Sequence, residues 1–284
     1  MKVLVTGHKG FIGTRLCEKL KDLKHEIVGI DVREGTDILT AELPKADFVI
    51  HLAAIPDAAG SFDKATLLEE NNFIRTVKVA EACLLLGVKM ISLSSTSVYG
   101  TQNEIVFEDC SSDELKPQSP YAVTKLVYEL YADVFSKLYG LHTIGLRYFN
   151  VFGPKQNQNN PYAAVIPIFC KKFLENKQVT INGDGETSRD FTFVENAVQA
   201  NIKGLLTNKI INKSEIFNVA CGEQYTLNQL LALLQKISGQ CIEIINGPER
   251  VGDVKHSKAS IEKISFFLKY QPAVKFSEGL KIVY

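Results

Sequence analysis

The 284-residue chain has no tryptophan and only two methionines, and its six cysteines (Cys17, Cys83, Cys110, Cys170, Cys221 and Cys241) stand far apart with no C-x-x-C pair. A disulfide framework or a thiolate metal site needs close, regular spacing, so neither is expected. Histidine is as sparse. His8, His25, His51, His142 and His256 show no ligand spacing, and no metal is expected. Net charge is also lacking, since 32 Lys and Arg balance 32 Asp and Glu. That balance argues against a dedicated nucleic-acid binder, which carries a basic footprint. No apolar run approaches the ~18–20 residues of a membrane span. The first run, Val3-Leu4-Val5, stops at Thr6-Gly7 and is too short for a signal peptide. No repeat or low-complexity segment is visible. A reduced, cytoplasmic protein without a membrane or nucleic-acid partner is expected. What is present is ordinary globular matter, 45% hydrophobic and 23% charged, enough for one large domain or two.

The first half alternates short β-branched runs with helix-period segments. Val3-Leu4-Val5, Ile27 to Ile30, Phe48 to Ile50, Met90 to Leu93 and Thr143 to Leu146 read as strands. Between them, Ile12, Leu16 and Leu20 mark one helix face; Val77, Ala80 and Leu84 mark a second. Leu126, Leu130, Val134 and Leu138 mark a third. Strands apolar throughout, alternating with helices, predict a doubly wound parallel sheet covered on both faces. After Gly153-Pro154 the pattern becomes mixed. A helix is expected from Ile168 to Leu174, a strand at Val179 to Ile181, a helix through Leu227, Leu230, Leu231 and Leu234, and a strand at Ile242 to Ile244. Ile216 to Val219 is placed as a strand returning to the first sheet. The reading is a Rossmann-type α/β domain over 1–153, with later segments threading back, and a smaller mixed α/β domain over 154–284.

Gly7, Gly10 and Gly13 lie directly after the first strand and open the first helix, with Phe11 and Ile12 among them. Glycines let the backbone turn sharply and approach a pyrophosphate, which the free N–H groups of the helix N-terminus then hold. The spacing is G-x-x-G-x-x-G. Asp31 ends the second strand eighteen positions after Gly13, where a carboxylate bonds a ribose 2′-hydroxyl and repels a 2′-phosphate. NAD is therefore the expected cofactor, although Arg33 nearby is a group that accommodates phosphate.

Two further clusters follow. Ser94-Ser95-Thr96-Ser97 sits at the C-terminal end of the fourth strand, where open α/β sheets bind ligands. Tyr121 and Lys125 are four apart on a helix and share a face. A lysine ammonium beside a phenol, with a cationic nicotinamide near, favours the phenolate and draws its pKa down from ~10. Tyr121 is then a general base for a substrate hydroxyl.

Together these residues resemble the extended short-chain dehydrogenase/reductase family over nearly the whole chain. The glycine loop, Asp31, Asp37-Ile38, His51-Leu52-Ala53-Ala54, Asn71-Asn72, the serine cluster and the Tyr121/Lys125 pair carry the first half. Arg147 to Pro154, Gly183-Asp184-Gly185 through Arg189-Asp190-Phe191, and Arg250-Val251-Gly252-Asp253 are similar to the nucleotide-sugar epimerase branch. Within that branch, Tyr162 to Pro167, Ile181 to Phe191 and Gly252 to Ser257 look like the UDP-N-acetylglucosamine 4-epimerases. The resemblance implies that Ser95 bonds the sugar 4-hydroxyl, Tyr121 is the base and Lys125 holds the nicotinamide ribose. It places Asp37 and Ile38 at the adenine, and Leu52, Ala53, Ala54, Asn71 and Phe149 along the rest of NAD. It assigns Asn150, Arg189, Arg250 and Asp253 to the nucleotide diphosphate.

Ser257 stands where glucose-restricted 4-epimerases carry a bulky residue, which leaves room for an N-acetyl group. Asn182 replaces an aromatic ring against the base in many relatives. Arg75 replaces a usual glycine. The implied activity is conversion of UDP-GlcNAc to UDP-GalNAc through a 4-keto sugar, in a homodimer built on helices around Val77–Leu84 and Tyr121–Leu138. UDP-glucose or UDP-glucuronate 4-epimerisation, a 4,6-dehydratase and a non-catalytic NAD(H)-binding role are the alternatives. The dehydratase reading is disfavoured because Thr96 and Ser97 after Ser95 carry no carboxyl group.

Overall fold

The computed structural model describes residues 1–101, 105–157, 164–207, 214–249 and 254–284. Its elements in the first half are β1 (Lys2–Thr6), α1 (Phe11–Asp22), β2 (Glu26–Ile30), β3 (Phe48–His51), α2 (Ala65–Glu69), α3 (Arg75–Leu86), β4 (Lys89–Ser95), α4 (Pro120–Tyr139) and β5 (Thr143–Tyr148). The second half has β6 (Val151–Phe152), α5 (Val165–Leu174), β7 (Val179–Asn182), β8 (Ser188–Arg189), β9 (Thr192–Phe193), α6 (Val194–Leu206) and β10 (Ser214–Val219). It ends with β11 (Tyr225–Thr226), α7 (Leu227–Ser238), β12 (Ile244–Gly247), α8 (Glu262–Leu268) and α9 (Phe276–Val283). A π-helical turn, Glu70–Ile74, joins α2 to α3.

Six strands form one parallel sheet in the order β10-β5-β4-β3-β1-β2. The chain runs outward from β1 to β2, then reverses across β1 to β3. This switch opens a crevice at the C-terminal ends of β1 and β3, where such sheets take their ligands. The sheet is buried on both faces, as its continuous apolar strands require. Leu16, Leu20, Ile50, Ile144, Leu146 and Phe217 are among the core on one side, joined by α6 and α8. Leu4, Val49, Val79, Met90, Tyr128 and Ala132 pack on the other. A separate phenylalanine-rich core, including Phe152, Phe169, Phe173, Phe191 and Phe276, joins α5, α7 and α9 to the strands beside them.

The parallel sheet, its helices and the return of β10 beside β5 agree with the sequence reading. Three details differ. The buried face of α3 is Thr76, Val79, Ala80 and Cys83, one residue from the Val77 and Leu84 line. A buried hydroxyl facing His51 displaces that stripe. The last of the expected strands starts at Ile244, and Ile242 is a packing residue ahead of it. Helix α6, which the sequence pattern does not announce, buries Asn196 and Asn201 among apolar residues, so amides break its stripe. Asn196 holds the chain before α9 through Ala273 N–H, Val274 N–H and the Val274 carbonyl.

Helix α4 begins cleanly because Ser119 Oγ accepts the Ala122 N–H at 3.2 Å and Pro120 occupies its first turn. Gly140 closes it in the left-handed conformation. Its buried face is Tyr121, Ala122, Thr124, Lys125, Tyr128, Glu129 and Ala132. The Leu130, Val134 and Leu138 line points outward, at 55%, 47% and 69% exposure.

Candidate active site

The loop after β1 is built from positions that tolerate no side chain. Gly7 has φ +72°, and a Cβ there would lie 2.7 Å from the Ala53 nitrogen. Gly13 begins the packing of α1 on the loop, and a Cβ would lie 2.2 Å from the Gly7 carbonyl oxygen. Gly10 caps α1 without a side-chain acceptor, which leaves the helix N-terminus with unanswered N–H donors. Phe11 and Ile12 occupy that first turn, half-buried. This cradle fits a dinucleotide pyrophosphate.

Beyond it, Asp31 is buried at the end of β2, and its carboxylate accepts the Lys9 N–H at 2.9 Å and the Arg33 N–H at 3.0 Å. These bonds orient it and leave lone pairs for a ribose diol. The Arg33 guanidinium donates to the Lys9 carbonyl at 2.5 Å, so it is engaged with the loop itself. Leu52, Ala53 and Ala54 run past the loop after β3, and Ala53 N–H points at Thr6 Oγ1.

Other expected cofactor residues lie differently. Asp37 is held bidentately by Arg75, at 3.0 Å to Nε and 2.8 Å to Nη2, with Leu39 N–H as a third partner. That guanidinium holds the Asp37 carboxyl below the usual range. Ile38 beside it is buried. Arg75, read from sequence as a tolerated replacement for glycine, is thus the ion-pair partner of Asp37. Asn71 lies in the π-helical turn and its amide donates to Leu67 O on α2 at 2.8 Å. Asn72 faces inward instead and pairs twice with the Ile55 backbone, at 2.8 and 3.0 Å, holding the chain after Ala54. Phe149 is fully buried against Val98, Tyr99, Ala220 and Ala259, with its N–H on Val219 O, and so lines a core and no groove.

Ser95, Tyr121 and Lys125 converge at the C-terminal end of β4. Burial pushes the Tyr121 phenol up in pKa, and the neighbouring Ser95 side chain draws it down. Lys125 donates to Leu93 O at 3.2 Å, and its Nζ lies 5.9 Å from the Tyr121 ring centroid. The expected depression of Tyr121 by Lys125 is therefore not produced by the chain alone. Desolvation outweighs an ammonium that is itself pushed down to about 7 by burial, despite the opposing pull of Glu129.

Beneath this trio lies a network that the sequence reading missed. Glu129 accepts from Arg147 Nε at 2.9 Å and Nη2 at 2.6 Å, and from Ser94 Oγ at 2.5 Å. Arg147 also covers the Tyr99 ring at 4.6 Å. Tyr121, Lys125 and Glu129 recur every fourth residue, so helical spacing is the signal that leads to Glu129.

Of the expected substrate residues, Asn150, Arg189 and Ser257 lie among the described residues. Asn150 and Arg189 line a cavity of about 290 Å³ with Phe169, Ile181, Asn182 and Phe191. Asn150, at φ +38°, donates its amide to Asp190 O. Arg189 donates to Ser188 O and Lys255 O. Apolar walls with a few convergent polar groups suit a nucleotide. Ser257 is tied to β8 by its N–H on Ser188 O, and its hydroxyl is buried with no partner among the described residues. Arg250 and Asp253 lie outside the described residues.

The chain is similar over nearly its whole length to several enzymes named for UDP-sugars. It is 32% identical to an uncharacterized UDP-glucose epimerase of Bacillus subtilis, covering 99% of this chain and 96% of that protein. A UDP-N-acetylglucosamine 4-epimerase from Methanobrevibacter ruminantium, solved with UDP-N-acetylmuramic acid, superposes with a TM-score of 0.92 at 34% identity, over 99% and 96% of the two chains. A UDP-glucuronic acid 4-epimerase from Bacillus cereus, solved with UDP-glucuronic acid and NAD, gives 0.90 at 34% identity, over 99% and 97%. The cofactor of the glycine cradle is NAD. Residues 3–220, which hold that cradle, Asp31 and the Ser95, Tyr121 and Lys125 trio, match the model of the NAD dependent epimerase/dehydratase family, and this chain belongs to it.

Proposed function

We propose that the protein interconverts UDP-GlcNAc and UDP-GalNAc by NAD-dependent inversion at C4. The broader activity, 4-epimerisation of a UDP-sugar, is supported above all by the convergence of Ser95, Tyr121 and Lys125 on the end of β4 beside the glycine cradle. The N-acetylhexosamine preference rests on Ser257, a small residue whose buried hydroxyl has no partner among the described residues. The similarity to a UDP-N-acetylglucosamine 4-epimerase agrees with it. The equal identity to a glucuronic acid 4-epimerase makes UDP-glucuronate, with UDP-glucose, the second reading.

In this reading the sheet domain, with α6, β10 and α8 returned to it, holds the dinucleotide through Gly7, Gly10, Gly13, Asp31 and the Leu52 to Ala54 turn. The remaining second-half elements grip the nucleotide through Asn150 and Arg189, together with Arg250 and Asp253. When bound, NAD contributes a hydride acceptor for C4 and a positive charge near the phenol. Tyr121 removes the 4-hydroxyl proton and later returns it, while Ser95 donates a hydrogen bond to the same oxygen. Lys125 holds the cofactor ribose. Arg189 suits the diphosphate because its planar fork pairs with phosphate oxygens. That remote grip keeps the 4-keto sugar from leaving while it turns its other face. The outward apolar line of α4, with Leu85 on α3, is covered by the same helices of a second copy, forming a four-helix dimer interface.

The test is to incubate the purified protein, with no added cofactor, with UDP-GlcNAc, UDP-glucose and UDP-glucuronate separately and to identify products by NMR. UDP-GalNAc from UDP-GlcNAc, at the highest rate of the three, is expected. Conversion of UDP-glucose or UDP-glucuronate alone contradicts the substrate assignment. A 4-keto-6-deoxy product contradicts epimerisation.

A further inference from the structure

The turn after β4 holds a hydroxyl that the mechanism above leaves unused. Ser97 lies in the short helical turn Thr96–Tyr99, two residues past Ser95. Its N–H donates to Ser95 Oγ at 3.2 Å, and its own Oγ lies 3.0 Å from the same atom. A serine oxygen has two lone pairs and one proton, and an N–H only donates. When Ser97 supplies both its N–H and its O–H, the acceptor capacity of Ser95 is full. The Ser95 proton is then left for the Tyr121 side, where the Ser95 side chain draws the phenol down in pKa. The opposite arrangement, with Ser95 donating to Ser97, strips the phenolate of its donor. A negative phenolate selects against that arrangement, since hydrogen bonds to charged acceptors are the stronger ones. Each donor in such a chain also polarises the next.

We propose that Ser97 is a positioning residue that sets the direction of the chain Ser97 to Ser95 to Tyr121, so that Ser95 presents its proton to the phenolate or to the sugar 4-oxygen. This rests on Tyr121 being the base of the proposed epimerisation. Ser97 does not touch the reacting atoms in this account; it acts through Ser95. Thr96 and Ser97 occupy the positions where a dehydratase needs carboxyl groups, and here the second of them has a hydroxyl turned back on Ser95.

Among the described residues, Lys125 lies against the Tyr121 ring; Glu129 is on the same helix and pairs with Arg147 of β5, which covers the Tyr99 ring, and His51 at the end of β3 feels the Lys125 charge. The Ser97 hydroxyl bonds to none of these in the structure, its partner being Ser95. Removing it therefore leaves their charges in place.

The experiment compares wild type, Ser97→Ala and Ser97→Thr in two ways. The first is the pH dependence of kcat and KM for UDP-sugar epimerisation. The second is an ultraviolet difference titration of the Tyr121 phenol in each protein, with the matching Tyr121→Phe variant as the blank. For Ser97→Ala, kcat is expected to fall about three- to tenfold, with KM within about twofold, as one neutral hydrogen bond acting in the transition state implies. The acid limb of kcat and the phenol midpoint both move up by about half to one pH unit. Ser97→Thr, which keeps the hydroxyl, restores both. An unmoved phenol midpoint in Ser97→Ala overturns the proposal, as does Ser97→Thr being as impaired as Ser97→Ala. Wild-type protein without epimerase activity counts against the proposed function alone, and the phenol titration still decides the role of Ser97.

Discussion

His51 shows how much a single buried side chain commits the site to one protonation state. Its Nδ1 lies 2.6 Å from Thr6 Oγ1 and its Nε2 lies 2.9 Å from Thr76 Oγ1. Thr76 gives its own proton to Asn72 O, so it accepts from Nε2–H, and Thr6 donates to Nδ1. The neutral ring is satisfied, and a second proton would face a donor. Burial, helped by the Lys125 charge, holds the imidazole down to about 3 from 6.5. Below pH 6.5 the unfolded chain takes a proton that the folded chain refuses, so stability is present above that pH and is lost as pH falls towards 3. The slope is about 1.4 kcal/mol per pH unit. His51→Gln is expected to flatten the pH dependence of urea unfolding between about pH 6 and 4. An unchanged slope contradicts this.

The buried Glu129 and Arg147 pair gives a second residue-scale prediction. Arg147→Met strands a buried carboxylate and is expected to cost about 3–5 kcal/mol in urea unfolding, while the double variant Glu129→Gln with Arg147→Met loses less than the single change. Equal losses contradict this. Tyr121 and Lys125 were legible because their chemistry and spacing are unusual together. Asn72 was not, because two adjacent asparagines look alike until a helix decides which one faces in. Arg75 and Asp37 are thirty-eight residues apart, and no local pattern links them.

The first loop and helix were read correctly from their glycines, because close backbone approach leaves a mark in sequence that apolar packing does not. Gly13→Ala places a methyl 2.2 Å from the Gly7 carbonyl, and the loop must move to admit it. A stability loss of about 1–3 kcal/mol is expected in urea unfolding. NAD affinity, read by isothermal titration, should fall at least about tenfold, since the pyrophosphate needs that backbone where it stands. Retained affinity contradicts the cradle. Other elements were legible in part. The strands of the sheet announced themselves as apolar runs, whereas β6, β8, β9 and β11 are two residues long and carry no period. Helix α4 was found from a leucine stripe that turns out to face solvent, while its buried face is marked by Tyr121, Lys125 and Glu129. An apolar stripe locates a helix without saying what it packs on.

For the whole molecule, that outward stripe carries the proposed dimer. Wild-type protein is expected to sediment as a dimer, and Leu130→Lys with Leu138→Lys as a monomer that keeps its fold, since both positions are exposed in one copy. A wild-type monomer contradicts the interface. The α/β architecture follows from the alternation of strands and helices and was legible in the sequence, whereas the switch at β1 emerges only from the strand order of the sheet. The second-half core was less so, because its buried phenylalanines come from four separate stretches joined only by tertiary contact. The account as a whole stands on oxidation and reduction at one carbon by a hydrogen that never leaves the site. A UDP-sugar substrate carrying deuterium at C4 tests this directly. The product epimer is expected to keep the label at C4 when the reaction runs in ordinary water. An epimer formed with the label lost to solvent would contradict the account.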